Sequence, residues 1–310
     1  MTADGLFAIT AYFNPVGRGR RLANYREFRK RLTVPLVAVE LAFGDRFELT
    51  HDDADILIQV RDGALLWQKE RLLALALAAL PSAARTIAWL DSDIVFTRPD
   101  WADAAGRLLD DAPIIQLFRH VHYMPASLPV AAAAIGAAEL RRTSLAAAVG
   151  GGVDPIDCFG AGNEHTWGEY TPGFAWAARR DVLAAHGLYD ACIIGGGGRA
   201  IAAAAYGHID HVVRFQRMHP AEAAHFAAWA EPFSAAVAGR VGFLDTDILH
   251  LWHGDLASRA YFERHRDFAP FAFDPTRDIA IGADGAWVWN SHRPALHDHV
   301  RGYFESREFD

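Results

Sequence analysis

Two short runs hold side chains whose types and spacing could do chemistry. Asp91-Ser92-Asp93 follows directly on the apolar run Ile87-Ala88-Trp89-Leu90. On a strand, residues two apart point the same way, so both carboxylates can converge on one hard cation. Two carboxylates with phosphate oxygens make a site for Mg²⁺ or Mn²⁺. In the blander reading, Asp91 caps the following turn and Asp93 is solvated. The second run is His250-Leu251-Trp252-His253-Gly254. On a strand its two histidines face opposite sides, so one could reach a site while the other packs. A pair of hydrogen-bonded core histidines is the competing reading. A nitrogen ligand beside carboxylates favours Mn²⁺ over Mg²⁺. Asp245-Thr246-Asp247 repeats the Asp-x-Asp spacing and is a secondary cation candidate.

The background sharpens one further residue. Of 30 basic residues in the 310-residue chain only Lys30 and Lys69 are lysines. Coding bias accounts for an arginine excess, yet a lysine kept in such a background invites a task that arginine cannot do. The formal net charge of −8 disfavours a duplex nucleic-acid partner, which calls for a basic excess or stripe. The basic cluster from Arg18 to Arg31 has helical spacing and reads equally well as a solvated face. A hydrophobic share of 52% excludes wholesale disorder, and two cysteines, Cys158 and Cys192, exclude a disulfide framework. No apolar run approaches the roughly 18 residues that cross a bilayer. The first five residues lack the basic region of a signal peptide, so a cytoplasmic protein is expected.

These residues need elements to position them. The pattern predicts a buried strand over 6–13 ending at Asn14-Pro15, then a helix marked by Leu22, Tyr25, Phe28 and Leu32. Strands follow over 35–41 and 55–60, then a helix over 65–80 stopped by Pro81. A strand over 86–90 runs into Asp91. A helix over 101–109, with Asp100 as its cap, and a strand over 113–118 complete the first half. Such alternation predicts an α/β fold with a doubly wound, mostly parallel mixed sheet flanked by helices. Ligands bind such sheets at the carboxyl ends of their strands, where Asp91 falls. In the second half the pattern predicts an Ala-rich helix over 131–149, a Gly-rich loop over 150–168 and a strand over 174–178. A short helix ending at Gly187 follows, then a helix over 221–238, a strand over 241–252 and a last helix from Pro294. No linker is visible, so 1–310 reads as a single domain. Its parts are a first half over 1–118, a second half over 119–255 and a C-terminal segment over 256–310 packing on the core.

Two further runs have divided readings. Glycines 195–198 lack the Lys-Ser/Thr of a phosphate loop, so they form either a close backbone approach to a sugar or a tight turn. The loop Trp167-Gly168-Glu169-Tyr170 could stack an acceptor sugar or simply close the core.

Together these pieces resemble glycosyltransferases of the GT-A fold. The resemblance rests on Trp67-Gln68-Lys69-Glu70-Arg71-Leu72, Leu80-Pro81 and 87–94 with its Asp-x-Asp. It continues through Pro172-Gly173-Phe174-Ala175-Trp176-Ala177, Gly187-Leu188-Tyr189-Asp190 and His250-Leu251-Trp252-His253-Gly254. It spans roughly residues 6 to 265.

The resemblance implies a nucleotide-sugar donor, usually a UDP-sugar, held through Mn²⁺ or Mg²⁺ at Asp91 and Asp93, with 1–118 as the nucleotide-sugar-binding half and 119–255 as the acceptor-binding half. A late histidine, His253 first and His250 second, would complete the metal site. Thr10, Tyr12 and Asn14 would hold the nucleoside, Lys69 or Arg71 would reach the donor, and Ser92 would lie with them. The acceptor, whether carbohydrate, small molecule or macromolecule, stays open. Inverting members carry acidic residues after a glycine pair, where this chain has Gly197-Gly198-Arg199. The nearest substitutes as general base are Asp190 and Glu169. The alternatives are another base, a retaining mechanism, or a non-catalytic nucleotide-sugar-binding protein. A nucleotidyltransferase making nucleotide-sugars would share the sheet, but only Gly17-Arg18-Gly19-Arg20 stands where its phosphate loop belongs.

Overall fold

The computed structural model describes residues 5–15, 17, 19–160, 169–254 and 260–306. The chain first alternates strands and helices: β1 (Leu6–Phe13), α1 (Gly19–Arg31), β2 (Leu36–Leu41), β3 (Ile56–Val60), α2 (Lys69–Ala78) and β4 (Thr86–Leu90). Next come β5 (Ile94–Phe96), α3 (Trp101–Asp111), β6 (Ile114–Gln116), β7 (His120–Tyr123), β8 (Leu140–Ser144), α4 (Leu145–Gly150) and α5 (Pro155–Cys158). β9 (Tyr170–Thr171), β10 (Ala175–Arg179), α6 (Arg180–His186), α7 (Gly197–Ala205), α8 (Ile209–Phe215) and α9 (Pro220–Val237) follow. The last elements are β11 (Val241–Phe243), β12 (Asp247–His250), α10 (Glu263–Phe268), α11 (Pro275–Asp278), β13 (Ile279–Ile281), β14 (Trp287–Trp289) and α12 (Pro294–Glu305).

Seven strands form the central sheet in the order β11-β6-β10-β4-β1-β2-β3. Within it β4, β1, β2 and β3 are mutually parallel, β11 is parallel to β6, and β10 runs antiparallel to both its neighbours. The expected mixed, mostly parallel sheet flanked by helices is therefore present. Both faces are covered, which is why its strands read as continuous apolar runs. Along β1, Leu6, Ala8 and Tyr12 pack with Tyr25 and Phe28 of α1 and Trp101 of α3. Ile9 and Phe13 pack on the other face with Leu72, Leu73 and Ala76 of α2. Full burial of each such Leu, Ile or Phe contributes about 1.5–3 kcal/mol. Trp89 and Trp176, directly opposite on β4 and β10, stack with ring centres 6.3 Å apart.

A second sheet has the order β5-β12-β7-β8-β9, and β13 pairs antiparallel with β14. Several local expectations change here. Residues 131–149 do not form one helix: 140–144 is strand β8, paired with β7, and only Leu145–Gly150 is α-helical. Alanine favours helix, but a weak propensity yields to a strand edge that needs partners. The switch is set by Ser144, whose hydroxyl caps α4 by accepting from the Ala147 N–H at 3.2 Å. The run 241–252 is two strands in different sheets, divided at Leu244–Thr246 by a turn in which the Thr246 N–H donates to the Leu244 carbonyl. The helix expected over 65–80 starts only at Lys69. Gln68 is buried just before it, clasping Trp287 through both its amide nitrogen and its oxygen. Asp100 sits at the cap position of α3, but its carboxylate pairs with Arg98 instead of the helix N–H groups.

Candidate active site

Strand β4 ends at Leu90, and Asp91-Ser92-Asp93 forms the turn that carries the chain into the second sheet. The two carboxylates therefore do not share a strand face, contrary to the expectation from the Asp-x-Asp spacing. The turn is fixed from both sides: the Asp91 N–H donates to the Phe174 carbonyl at 2.8 Å, and the Leu251 N–H donates to the Asp93 carbonyl at 2.8 Å. The second bond extends the antiparallel pairing of β5 with β12, in which Ile94 lies opposite His250. This register draws the end of β12 onto Asp93. His250 and His253 then lie on the same side, because the chain leaves strand geometry after His250. His253 Nε2 is 3.0 Å from Asp93 Oδ2, and His250 Nε2 is 4.0 Å from Oδ1. The segment is tied to α1 by Asn24, whose amide donates to the Trp252 carbonyl at 3.0 Å.

One ligand atom from each of Asp93, His250 and His253 lies within 4.8 Å of the others. Among the described residues this is the one group of its kind. An oxygen and two nitrogens suit Mn²⁺ better than Mg²⁺. Asp91 turns to Lys69, whose ammonium contacts its carboxylate. Burial works against the Lys69 ammonium, but Asp91 and Glu70 outweigh it and hold its pKa above the ordinary lysine value. The secondary motif does not gather a comparable set. Asp245 pairs with Arg119 at 2.5 Å, whereas Asp247 is held between His120 and His122 at 3.0 and 2.8 Å.

These groups open onto a cavity of about 260 Å³ at the carboxyl ends of β1 and β4. Tyr12, Lys69, Asp91, Ser92, Asp93, His250 and His253 all line it. The first turn of α2 supplies Lys69 and Glu70 as consecutive residues that diverge. Lys69 reaches Asp91, while Glu70, 4% exposed, turns to the glycine loop. The Trp67 indole donates to Glu70 Oε2 at 3.1 Å. Glycines 195–198 form a wall of the cavity and the entry to α7. Gly196 has φ +105°, and a Cβ there would stand 2.7 Å from the Gln216 amide nitrogen. At Gly197 a Cβ would overlap the Glu70 carboxylate. Steric room explains these two glycines.

A further wall is cationic and aromatic, with Arg199, Arg264, Phe215 and Tyr261, while Arg142 lines the cavity over the Tyr123 ring. Arg199 lies 4.2 Å over the Phe215 ring and donates to the Phe159 carbonyl at 2.9 Å. Burial and the nearby Arg264 lower its pKa to about 10. Burial also pushes His265 well below the ordinary histidine value, so its neutral ring accepts from Arg264 Nε at 3.3 Å. Little in the sequence marks these residues. Arg142 lay in a stretch that reads as helix, and Tyr261 and Arg264 belong to no motif.

Several expected site residues are placed elsewhere. Thr10 is buried inside the sheet, its hydroxyl donating to the Leu90 carbonyl at 2.8 Å. Asn14 lines an adjoining hollow that shares Tyr12 with the cavity, and both residues donate to Glu48 Oε2, at 3.0 and 2.7 Å. Arg71 is not among the cavity-lining residues. It pairs with Asp190 at 3.1 Å and donates to the Gly285 carbonyl at 2.8 Å. Asp190 is thereby committed to a bridge between α2 and the C-terminal hairpin, whose Trp287 indole donates to the Asp190 carbonyl. Glu169 is exposed and does not line the cavity, although Tyr170 and Thr171 do. Trp167, Gly168 and Arg18 lie outside the described residues.

No family model matches this chain, and no curated protein matches it. Among solved structures, it is similar to S. aureus TarS 1–349 in complex with UDP-GlcNAc, at 11% identity and a TM-score of 0.44. That match covers 85% of this chain but 63% of the TarS fragment. It is also similar to glucosyl-3-phosphoglycerate synthase from Mycobacterium tuberculosis, crystallised with Mn²⁺, UDP-Glc and phosphoglyceric acid. There the identity is 11%, the TM-score 0.38 and the coverage 98% of this chain and 79% of that one. A third likeness is to 4-diphosphocytidyl-2C-methyl-D-erythritol synthase from Anaerococcus prevotii, at 9% identity and a TM-score of 0.35, covering 79% of this chain and 88% of that one.

Proposed function

We propose that this protein is a GT-A-type glycosyltransferase that moves a sugar from a UDP-sugar to an acceptor hydroxyl. The observation that carries the reading is the meeting of Asp93, His250 and His253 beside the Lys69–Asp91 pair, at the carboxyl ends of parallel strands. The donor set fits a divalent cation, with Mn²⁺ preferred and Asp91 close enough to act on the same charge. When bound, such an ion supplies Lewis-acid neutralisation of a diphosphate. Lys69 adds a fixed positive charge on the same side, aimed at the charge that develops on the departing nucleoside diphosphate. Tyr12 and Asn14 stand where a nucleoside would extend from it, toward the hollow lined by Glu48. The acceptor would enter past the glycine loop and the arginine-rich wall. Arg71 and Asp190 act from behind, holding the first turn of α2 in place.

Calorimetry with UDP and UDP-sugars tests the donor assignment. Binding should require Mn²⁺, and Asp93→Ala or His253→Ala should weaken it by at least about tenfold, or 1.4 kcal/mol. Unchanged binding in both variants would remove the assignment. UDP binding without release of UDP from any donor would favour the non-catalytic reading, which the absence of an acidic residue at 197–199 motivates. Pyrophosphate release from UTP and a sugar phosphate would instead mark a nucleotidyltransferase.

A further inference from the structure

The sequence lacks an acid beside Gly197-Gly198, yet the folded chain puts one there. We infer that Glu70 is the general base of the transfer reaction, supplied from α2 into the space that a side chain at position 197 would occupy. The inference rests on the glycosyltransferase reading above. Three observations carry it. A Cβ on Gly197 would overlap the Glu70 carboxylate and lie 3.0 Å from its Cγ, so residue 197 can be little else than glycine while Glu70 is in place. Glu70 lines the same cavity as Asp93, His250 and His253. Its carboxylate is oriented, not free to swing, because Trp67 Nε1 holds Oε2 at 3.1 Å. Oε1 is the oxygen beside Gly197.

Position and chemistry agree. Lys69 and Glu70 are neighbours on one rigid helical turn, so the cation serves the leaving group and the carboxylate serves the acceptor. Burial raises the Glu70 pKa, which brings a carboxylate nearer the proton affinity a base needs at neutral pH. The step balances as a single displacement. The acceptor oxygen bonds to the anomeric carbon while the bond from that carbon to the diphosphate oxygen breaks. Its electron pair leaves with the nucleoside diphosphate, and the acceptor proton passes to Glu70. Configuration at the anomeric carbon is inverted.

Water can stand in for the unidentified acceptor. UDP release from UDP-glucose, UDP-galactose and UDP-GlcNAc with Mn²⁺ is measured for the unaltered chain, Glu70→Gln and Glu70→Ala. Glu70→Gln should slow UDP release by about 10²–10⁴-fold while leaving UDP affinity within a few-fold. Formate should restore part of the rate to Glu70→Ala, and so should the double variant Glu70→Ala/Gly197→Asp, which returns a carboxylate from the other side. The released sugar should carry the inverted anomeric configuration. UDP release within a few-fold of the unaltered rate in Glu70→Gln overturns the role of Glu70 and leaves the donor assignment standing. A retained configuration does the same. Should Glu70→Gln also lose UDP affinity, Glu70→Ala decides: no recovery with formate or with Gly197→Asp overturns the inference. Failure of the unaltered chain to bind or hydrolyse any of the three donors removes the glycosyltransferase reading and this inference with it.

Discussion

At the scale of single residues, the lysine that survives in an arginine-rich chain has a definite place. Lys69 sits 22 positions before Asp91 in sequence and in contact with it in space. A guanidinium is wider and planar, and would not fit the same partly buried contact without moving Asp91. Lys69→Arg is expected to lower UDP-sugar turnover at least about tenfold, assayed as UDP release; unchanged turnover would make the lysine a mere survivor of coding bias. Lys69→Met should act on stability as well. It leaves Asp91 near Asp93 without its ammonium partner, in a site where the lysine and Asp91 side chains are only 19% and 27% exposed. Breaking such a pair costs about 1–3 kcal/mol, less than for a fully buried one because water still reaches it. Urea unfolding measures this, and the loss should shrink in an Asp91→Asn background. The Asp-x-Asp pair was legible as a motif, and Lys69 as an oddity of composition. Their contact was not, because it joins the start of a helix to the end of a strand.

At the scale of elements, two helix starts set the site and its support. The entry to α7 is built on Gly196 and Gly197, and the Glu70 carboxylate occupies the space beside the latter. Gly197→Ala should therefore force Glu70 or the helix to shift, with a loss of about 1–3 kcal/mol in urea unfolding. Unchanged stability would mean that Glu70 can swing aside at no cost. At the start of α9, Glu222 is buried and its carboxyl is raised to about 8, chiefly by burial, with a backbone bond at His219 acting the other way. In the unfolded chain the group releases its proton near its ordinary value of 4.5, so only the folded state keeps it between there and about 8. The folded state then binds more protons, and stability falls as pH rises through that window. Glu222→Gln, neutral at every pH, should flatten this fall by about 4 kcal/mol between pH 5 and pH 8.5, followed by urea unfolding. An unaltered slope would place the titration elsewhere. The apolar periodicity located α2 and α9 to within a few residues, whereas α7 was read only as a glycine run, and the start of α2 was misjudged where Gln68 is buried.

At the scale of the molecule, the cavity draws on the first strands, the second sheet and the C-terminal stretch together. Gln68 links two of these regions: its amide donates to the Ala64 and Trp287 carbonyls, and its oxygen accepts from the Trp287 N–H. Gln68→Ala leaves the Trp287 N–H without its partner, while the Ala64 and Trp287 carbonyls keep the Leu66 and Ala64 N–H groups, and should destabilise the protein by about 1–3 kcal/mol and weaken UDP binding through α2. Loss of stability with full UDP affinity would show the hairpin to be a support for the fold alone. Among the described residues no helix is long and apolar enough to cross a membrane. What the sequence by itself determined is the alternating α/β order, the strand that runs into Asp91, and the residue types able to hold a cation and a diphosphate. These are local matters of apolar period and side-chain chemistry. Only the tertiary structure decided that both histidines meet Asp93, since strand alternation alone put them on opposite sides. The β5–β12 register and the turn after His250 undo that alternation. It also decided that Asp190 is spent on Arg71, and that the acid missing beside Gly197 is delivered by Glu70, 127 positions earlier in the chain. A vacancy in one segment filled by a side chain from another leaves no pattern in the sequence, because volume is shared only after the chain has folded.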